Sequence, residues 1–222
     1  MNILLLTSKF LPEYSGPAHR IYNTYNRLNK ITKINLKVFC HSEEFNNYHN
    51  YKYKNIKVCR LKKISATDKN FINKIMSQIE FLFLLIFFCI KLNNKKFDIL
   101  HIVGSSNITT AALYASRIKK IPIFYELVNA SSSPLQINKF INIFYKLNLS
   151  DNSIISCLSN KLKLKCNQHG LTDNIWVRPN PVDEKIFFFR KNINKDHKVI
   201  RLLNINQFIP RKNQIFLIEI MK

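Results

Sequence analysis

Short apolar segments alternate with helical segments along most of the chain, and this alternation restricts the possible fold more than any other feature. The runs at 98–104 and 121–128 are almost continuously apolar, which is typical of strands buried on both faces of a parallel sheet. Strands and helices that alternate in this way are joined by right-handed crossovers, so the pattern predicts an α/β fold with a doubly wound parallel sheet. The predicted strands cover residues 2–7, 34–40, 56–61, 98–104, 121–128, 153–159 and 174–179, and the predicted helices begin near Pro17, Asp68, Asn107, Pro134 and Asn160.

The pattern changes after Pro181. Residues 181–198 mix charges with an aromatic triplet and are predicted to form a linker, after which 199–205 forms a strand and a helix begins near Arg211. A single strand and helix cannot bury their own apolar faces. The sequence therefore predicts one domain over residues 1–180 and the opening of a second, truncated domain over 199–222.

The helix from about Asp68 to Leu92 contains the most apolar segment of the chain, FLFLLIFFCI at 81–90. Glu80 and Lys91 bound this run well short of the roughly 18 to 20 apolar residues that a membrane span needs. The segment is therefore predicted to be a buried or interfacial helix. Core packing and contact with a membrane surface both fit its apolar character.

The formal net charge of +22 would suit an anionic partner, such as a membrane surface, a nucleic acid or a phosphorylated substrate. Lys, Asn and Ile are abundant in every segment, however, so a coding bias explains the excess equally well. The five cysteines are widely spaced without a C-x-x-C pair, which is typical of reduced cytosolic thiols. The first residues have no basic segment before their apolar run, so no signal peptide is predicted and we expect a cytoplasmic location.

Three loops follow predicted strands at the same edge of the sheet, where open parallel sheets bind ligands. Gly16 begins a helix and would let a phosphate or a sugar approach the backbone, although a simple capping turn fits equally well. His19 follows one turn later. His101 lies near the end of a buried strand and suits either a core hydrogen bond or a substrate contact. The loops cover residues 10–17, 101–106 and 126–133.

Two common nucleotide-binding motifs are absent from the sequence. No G-x-G-x-x-G follows the first strand, which disfavours a nicotinamide or flavin oxidoreductase, and no G-x-x-x-x-G-K-[ST] occurs, which excludes a P-loop. Arg211 and Lys212 precede the last predicted helix. Cations at such a position stabilise a departing diphosphate, although adjacent cations also occur in solvated turns.

Four motifs lie in order along the chain. Residues 11–16 are similar to a P-P-E-x-x-G-G loop, 98–101 to a D-v-v-H strand, 177–183 to a v-x-P-N-G-v-D hinge, and 205–213 to a v-G-R-l-x-x-x-K-G segment. Together they resemble family-4 glycosyltransferases of the GT-B fold over essentially the whole chain. The resemblance covers the Rossmann-like N-terminal domain of that family and the first strand and helix of its C-terminal domain.

The resemblance implies transfer of a sugar from a nucleoside-diphosphate donor, with retention of anomeric configuration and without a metal or other cofactor. The family's histidine falls on Val128, so no catalytic residue is assigned, and Glu126 and Asn129 are candidates to replace it. Ser15 and Gln207 stand where the family has a glycine and an arginine. The resemblance assigns substrate binding to Ser15, Gly16, His19, His101, Glu126 and Asn129, and binding of donor phosphate to Gln207, Arg211 and Lys212.

The E-x7-E element with which the family holds its donor would lie beyond Lys222. We therefore expect this chain to be inactive by itself, and to bind a glycan or lipid-linked acceptor or a separate chain that carries the donor domain. Peripheral contact with the inner face of the membrane fits a lipid-linked acceptor, and no nucleic acid is expected. The alternative is a non-catalytic basic module that binds anionic membrane or nucleic acid.

Overall fold

The computed structural model describes residues 1–13, 15–42, 49–64, 71–128, 153–168, 173–188, 203–205 and 212–221. The chain divides into two compact units, Met1–Pro181 and Val182–Lys222. The first unit contains an eight-stranded sheet in the order β3-β4-β2-β1-β5-β6-β7-β8. The strands are β1 (Asn2–Thr7), β2 (Asn35–Ser42), β3 (His49–Tyr53), β4 (Ile56–Lys62), β5 (Ile99–Val103), β6 (Ile123–Leu127), β7 (Ser153–Cys157) and β8 (Ile175–Val177).

Helices cover both faces of the sheet. One face packs on α1 through a core that includes Leu5, Val38 and Ile21, and the other packs on α2, α3 and α4 through a core that includes Leu6 and Phe88. Both faces of β1 are thus buried, which explains its continuous apolar run. The helices are α1 (Gly16–Leu28), α2 (Phe71–Lys91), α3 (Asn107–Ile118), α4 (Asn160–Gln168) and α5 (Gln214–Glu219).

The chain reverses its direction across the sheet between β1 and β5, which are parallel neighbours. From β1 the connection through α1 leads to β2 on one side, and from β5 the connection through α3 leads to β6 on the other. These two connections pack on opposite faces of the sheet. The predicted doubly wound parallel sheet is confirmed.

One strand was not predicted from the sequence. β3, with the sequence HNYKY, is short, polar and antiparallel to β4 at the edge of the sheet. Its signal is weak because only Tyr51 and Tyr53 contact the core, at a spacing of two residues. An edge strand needs few apolar side chains, since only one of its neighbours is another strand.

The described residues of the second unit lie at its surface. No residue that the structure describes in 182–188, 203–205 and 212–221 is buried. Residues 203–205 form no regular structure, and the helix predicted from about Arg211 begins at Gln214. The remaining linker residues, 189–198, and the helix predicted after Pro134 lie outside the described residues. That residues 199–222 open a second domain stays a prediction.

α2 has two faces of different character. Glu80, Leu84 and Phe88 point inward at a spacing of four residues, whereas most of the other apolar side chains are exposed. By length and composition α2 could cross a membrane, and it is the one helix in the described part of the chain that could. Only 17% of its most apolar window is buried inside the protein.

Candidate functional site

The chain reverses its direction across the sheet between β1 and β5, and the two connections leave on opposite faces. In doubly wound sheets such a reversal leaves a crevice outside the carboxyl ends of the two strands. α1 and α3 begin at the same edge, with their first backbone N–H groups directed towards it. We take this switch point as the candidate site, because ligands of doubly wound sheets bind at such reversals.

The loop after β1 ends in a capped helix start. Ser15 is the N-cap of α1, and its hydroxyl accepts a hydrogen bond from the backbone N–H of Ala18 at 3.5 Å. Gly16 is exposed, and a Cβ built on it would meet no atom within 4 Å. His19 is also exposed, in the first turn of α1. Neither a positive φ nor close packing requires glycine at position 16, so the space above this helix start is open.

The loop after β5 is hydrogen-bonded to the end of β6. Gly104 adopts a φ of +73°, in the left-handed region that favours glycine. Its N–H donates to the carbonyl of Glu126 at 3.1 Å, and its own carbonyl accepts from the hydroxyl of Tyr125 at 2.8 Å. Val128 lies 3.9 Å from the position of a Cβ on Gly104. The position that the resemblance assigns to a histidine therefore lies beside the loop after β5.

A buried charge network lies between α1 and the face of the sheet on which α1 packs. The carboxylate of Glu126, which is 1% exposed, accepts hydrogen bonds from the guanidinium groups of Arg20 in α1 and Arg178 just after β8. His101 Nε2 lies 3.6 Å from the same carboxylate. On its other side, His101 Nδ1 is hydrogen-bonded to the hydroxyl of Tyr25 at 2.7 Å. The network connects one helix with three strands.

The environment of Glu126 keeps its carboxyl group ionised. Burial by itself would raise its pKa, but the nearby His101 imidazole, together with the hydrogen bonds and charge of Arg20, holds the pKa well below its usual range. Burial, and then the charge of Glu126, raises the pKa of Tyr25. A carboxylate with so low a pKa is a weak general base near neutral pH. The geometry therefore suits Glu126 better to holding α1, β6 and β8 together than to proton transfer.

The network borders a cavity of about 100 Å³. Small-molecule sites usually enclose about 300–1,000 Å³, so this cavity is too small to hold a sugar. Within the described structure, His101 Nε2 and Arg178 Nε have no hydrogen-bond partner, so the network retains unused donor capacity. The cavity is lined by Arg20, Ile21, Thr24, Tyr25, His101, Phe124, Glu126, Trp176 and Arg178.

The structure divides the predicted site residues into three groups. Ser15, Gly16 and His19 lie at the start of α1, whereas His101 and Glu126 meet each other under α1. Lys212 is exposed in the second unit, just before α5. Their roles at a substrate stay predictions, and three further predicted residues lie outside the described part of the chain: Asn129, Gln207 and Arg211.

Sequence reasoning missed Arg20, Tyr25 and Arg178 as members of the network. Arg178 lies inside the hinge motif at a position where the family pattern specifies no residue. The signal available for Arg20 was its position one helical turn after Gly16. Among the described residues, no three His, Cys, Asp or Glu side chains converge in the way that a metal site requires.

The fold is similar to solved structures, although no protein-family model matches the chain and no curated protein matches its sequence. A match with the E. coli trehalose-6-phosphate synthase bound with UDP-2-fluoro glucose covers 84% of this chain and 50% of that one, with a TM-score of 0.54 at 11% identity. A match with an apo structure of OtsA covers 83% and 50%, with a TM-score of 0.51 at 11% identity. This chain thus has the Rossmann-like half of a GT-B fold and spans about half the length of these structures.

Proposed function

We propose that this chain is the acceptor-side half of a glycosyltransferase that uses a nucleoside-diphosphate sugar as its donor. The observation that carries the proposal is the reversal of strand order between β1 and β5, with an open glycine at the start of α1, in a fold that matches half of a GT-B structure. The matched E. coli structure holds a UDP-sugar analogue, which supports a donor of this chemical class. The four motifs in family-like order support the same class.

The acceptor side of the reaction would take place at the crevice. Gly16 leaves room for a ligand to reach the first N–H groups of α1, where the helix dipole stabilises negative charge. The glycan or lipid-linked acceptor would lie along the loops after β1, β5 and β6. Glu126 would hold α1, β6 and the residues after β8 in place through its contacts with Arg20 and Arg178.

The donor side would depend on residues after β8. Gln207, Arg211 and Lys212 would contact the donor phosphates, so that guanidinium and ammonium charges, in place of a metal ion, stabilise the departing diphosphate. Transfer with retention follows from the same resemblance, whereas a cytoplasmic location is proposed from the widely spaced cysteines, which are typical of reduced thiols. Because the donor would bind mainly to the other half of a GT-B fold, this chain by itself would transfer no sugar and would work with a donor-side domain.

The first experiment measures sugar transfer from a panel of nucleoside-diphosphate sugars. We expect no transfer by the 222-residue chain and transfer when a donor-side domain that carries E-x7-E is supplied, as a fusion or as a second chain. Transfer by the chain alone would overturn the division into halves. Absence of transfer with every donor, acceptor and donor-side domain tested would count against the function.

The second experiment changes the crevice in the active combination. Gly16→Gln would fill the open space above α1 at little cost to the fold, since nothing lies within 4 Å of its Cβ position. We expect it to lower kcat/KM for the acceptor by about tenfold or more. Asn23→Gln, on an exposed position of the same helix, is the matched control and should have no effect. Equal activity of the two variants would exclude the crevice as the acceptor site.

A further inference from the structure

The outer face of α2 is a continuous exposed apolar surface. Its members recur every three or four residues along the helix, opposite the buried Glu80, Leu84 and Phe88. Between 39% and 75% of each side chain is exposed, a large apolar area for a surface otherwise rich in lysine. We define the outer face by six residues: Ile72, Ile75, Ile79, Leu82, Ile86 and Ile90.

The inner face holds α2 flat against the domain. Leu84 and Phe88 lie in the core beneath it. The buried carboxylate of Glu80 accepts a hydrogen bond from the backbone N–H of Ile64 at 3.0 Å and another from the side-chain amide of Asn107 at 2.8 Å. A helix that crossed the bilayer would have to break these contacts and carry Glu80 into hydrocarbon. The anchored geometry therefore fits a helix that lies in the plane of a membrane surface.

Lysines cluster at the carboxyl-terminal end of the outer face. Lys119 and Lys120 line a groove of about 380 Å³ together with Ile90, and Lys95 and Lys96 follow closely after the helix. Lys95 and Lys96 also line a second groove together with Lys37 and Lys57, so positive charges gather at this end of the domain. A surface that combines an apolar stripe with adjacent lysines matches the chemistry of an anionic bilayer, with acyl chains below phosphate headgroups.

We propose that the outer face of α2 docks on the surface of an anionic lipid bilayer, with the lysines at its carboxyl-terminal end in contact with lipid phosphates. A second copy of the chain is the competing occupant, because the spacing of the stripe also suits a helix pair. Two features favour lipid. Each copy carries a net charge of +22, so two copies repel each other, and residues 81–90 contain no charged residue to flank a helix pair. This inference does not depend on the proposed enzymatic function.

The test is flotation of the purified chain with vesicles of phosphatidylcholine alone and with equimolar phosphatidylglycerol. We expect salt-sensitive flotation of the unchanged chain with the anionic vesicles, and weaker, less salt-sensitive flotation when Lys95, Lys96, Lys119 and Lys120 are changed to Gln. The triple variant Ile79→Gln, Leu82→Gln, Ile86→Gln should reduce the partition coefficient by about tenfold or more. The matched control, Ile31→Gln with Leu164→Gln, removes exposed apolar side chains elsewhere and should float like the unchanged chain.

Two further measurements keep the inference falsifiable. Phe83→Trp in a Trp176→Phe background should show a blue-shifted emission that brominated lipids quench, which a soluble helix pair would not show. Sedimentation without lipid should give a monomer. Three results would each overturn the inference. The first is flotation that the triple variant leaves unchanged, and the second is a chain that does not bind vesicles but forms a dimer that the triple variant abolishes. The third is resistance to alkaline extraction, which is typical of proteins that span the membrane.

Discussion

Replacing Glu126 by glutamine should destabilise the first unit substantially. Glu126 is 1% exposed and is the carboxylate that both Arg20 and Arg178 contact. Glutamine has nearly the same shape, so the substitution removes the charge without opening a cavity. It leaves two guanidinium groups facing a neutral amide. The expected effect is therefore electrostatic and can be compared with measurements on other buried ion pairs.

The magnitude follows from how deeply the partners are buried. Removing one member of a buried ion pair usually costs about 3–5 kcal/mol. The side chains of Arg20 and Arg178 keep 12% and 24% exposure, so each can turn partly towards water, and we expect the lower end of about 3 kcal/mol. A loss of 1 kcal/mol shifts the Tm of a unit of this size by about 2–4 °C, so the Tm should fall by about 6–12 °C.

Thermal unfolding followed by circular dichroism measures this shift, and urea unfolding supplies the free energy. Glu184→Gln makes the same chemical change at an exposed position and should alter stability by less than about 0.5 kcal/mol. A double-mutant cycle with Arg178→Gln should show positive coupling, because the second substitution removes a charge that the first leaves unpaired. If Glu126→Gln lowers the Tm by less than about 2 °C, this carboxylate does not neutralise two buried cations.

Three further predictions concern the same domain. Gly104→Ala should destabilise it by about 1–2 kcal/mol because φ is +73° there, whereas Gly16→Ala should be neutral or stabilising; equal effects in urea unfolding would contradict this. His101 and Arg20 outweigh burial and lower the folded-state pKa of Glu126 below its ordinary value of 4.5. The stabilisation by this carboxylate should therefore be complete above that pH and disappear as the pH falls below it. The difference in Tm between the unchanged chain and the E126Q variant should accordingly shrink in acid. Glu80→Ala should cost about 1–3 kcal/mol by leaving two hydrogen-bond donors unsatisfied, and hydrogen exchange should show α2 opening more often.

Local patterns were sufficient to predict seven of the eight strands that the structure describes, all except β3. A parallel strand that is buried on both faces must be apolar at nearly every position, and β1 and β5 show this directly in the sequence. The start of α1 was also predictable, since Ser15 and Pro17 have strong local preferences at helix N-termini. Because parallel strands end at the same edge, the order of strands and helices also predicted that β1, β5 and β6 would end at one edge of the sheet.

The partners of the polar residues were not predictable in the same way. Arg20 and Glu126 lie 106 residues apart in the sequence and meet only because α1 folds over β6. His101 and Tyr25, 76 residues apart, form their hydrogen bond for the same reason. No local preference encodes a contact across such a separation, since many chain conformations would place these side chains apart.

The sequence by itself determined the α/β class, the edge of the sheet at which the parallel strands end and the apolar character of α2, because each depends on short-range periodicity and on the handedness of crossovers. Only the tertiary structure decided which face of α2 is buried. The apolar residues surround the helix, and the buried face is the one that carries Glu80, whose carboxylate has hydrogen-bond donors at Ile64 and Asn107. A buried carboxylate requires such donors, and their positions are a property of the folded chain.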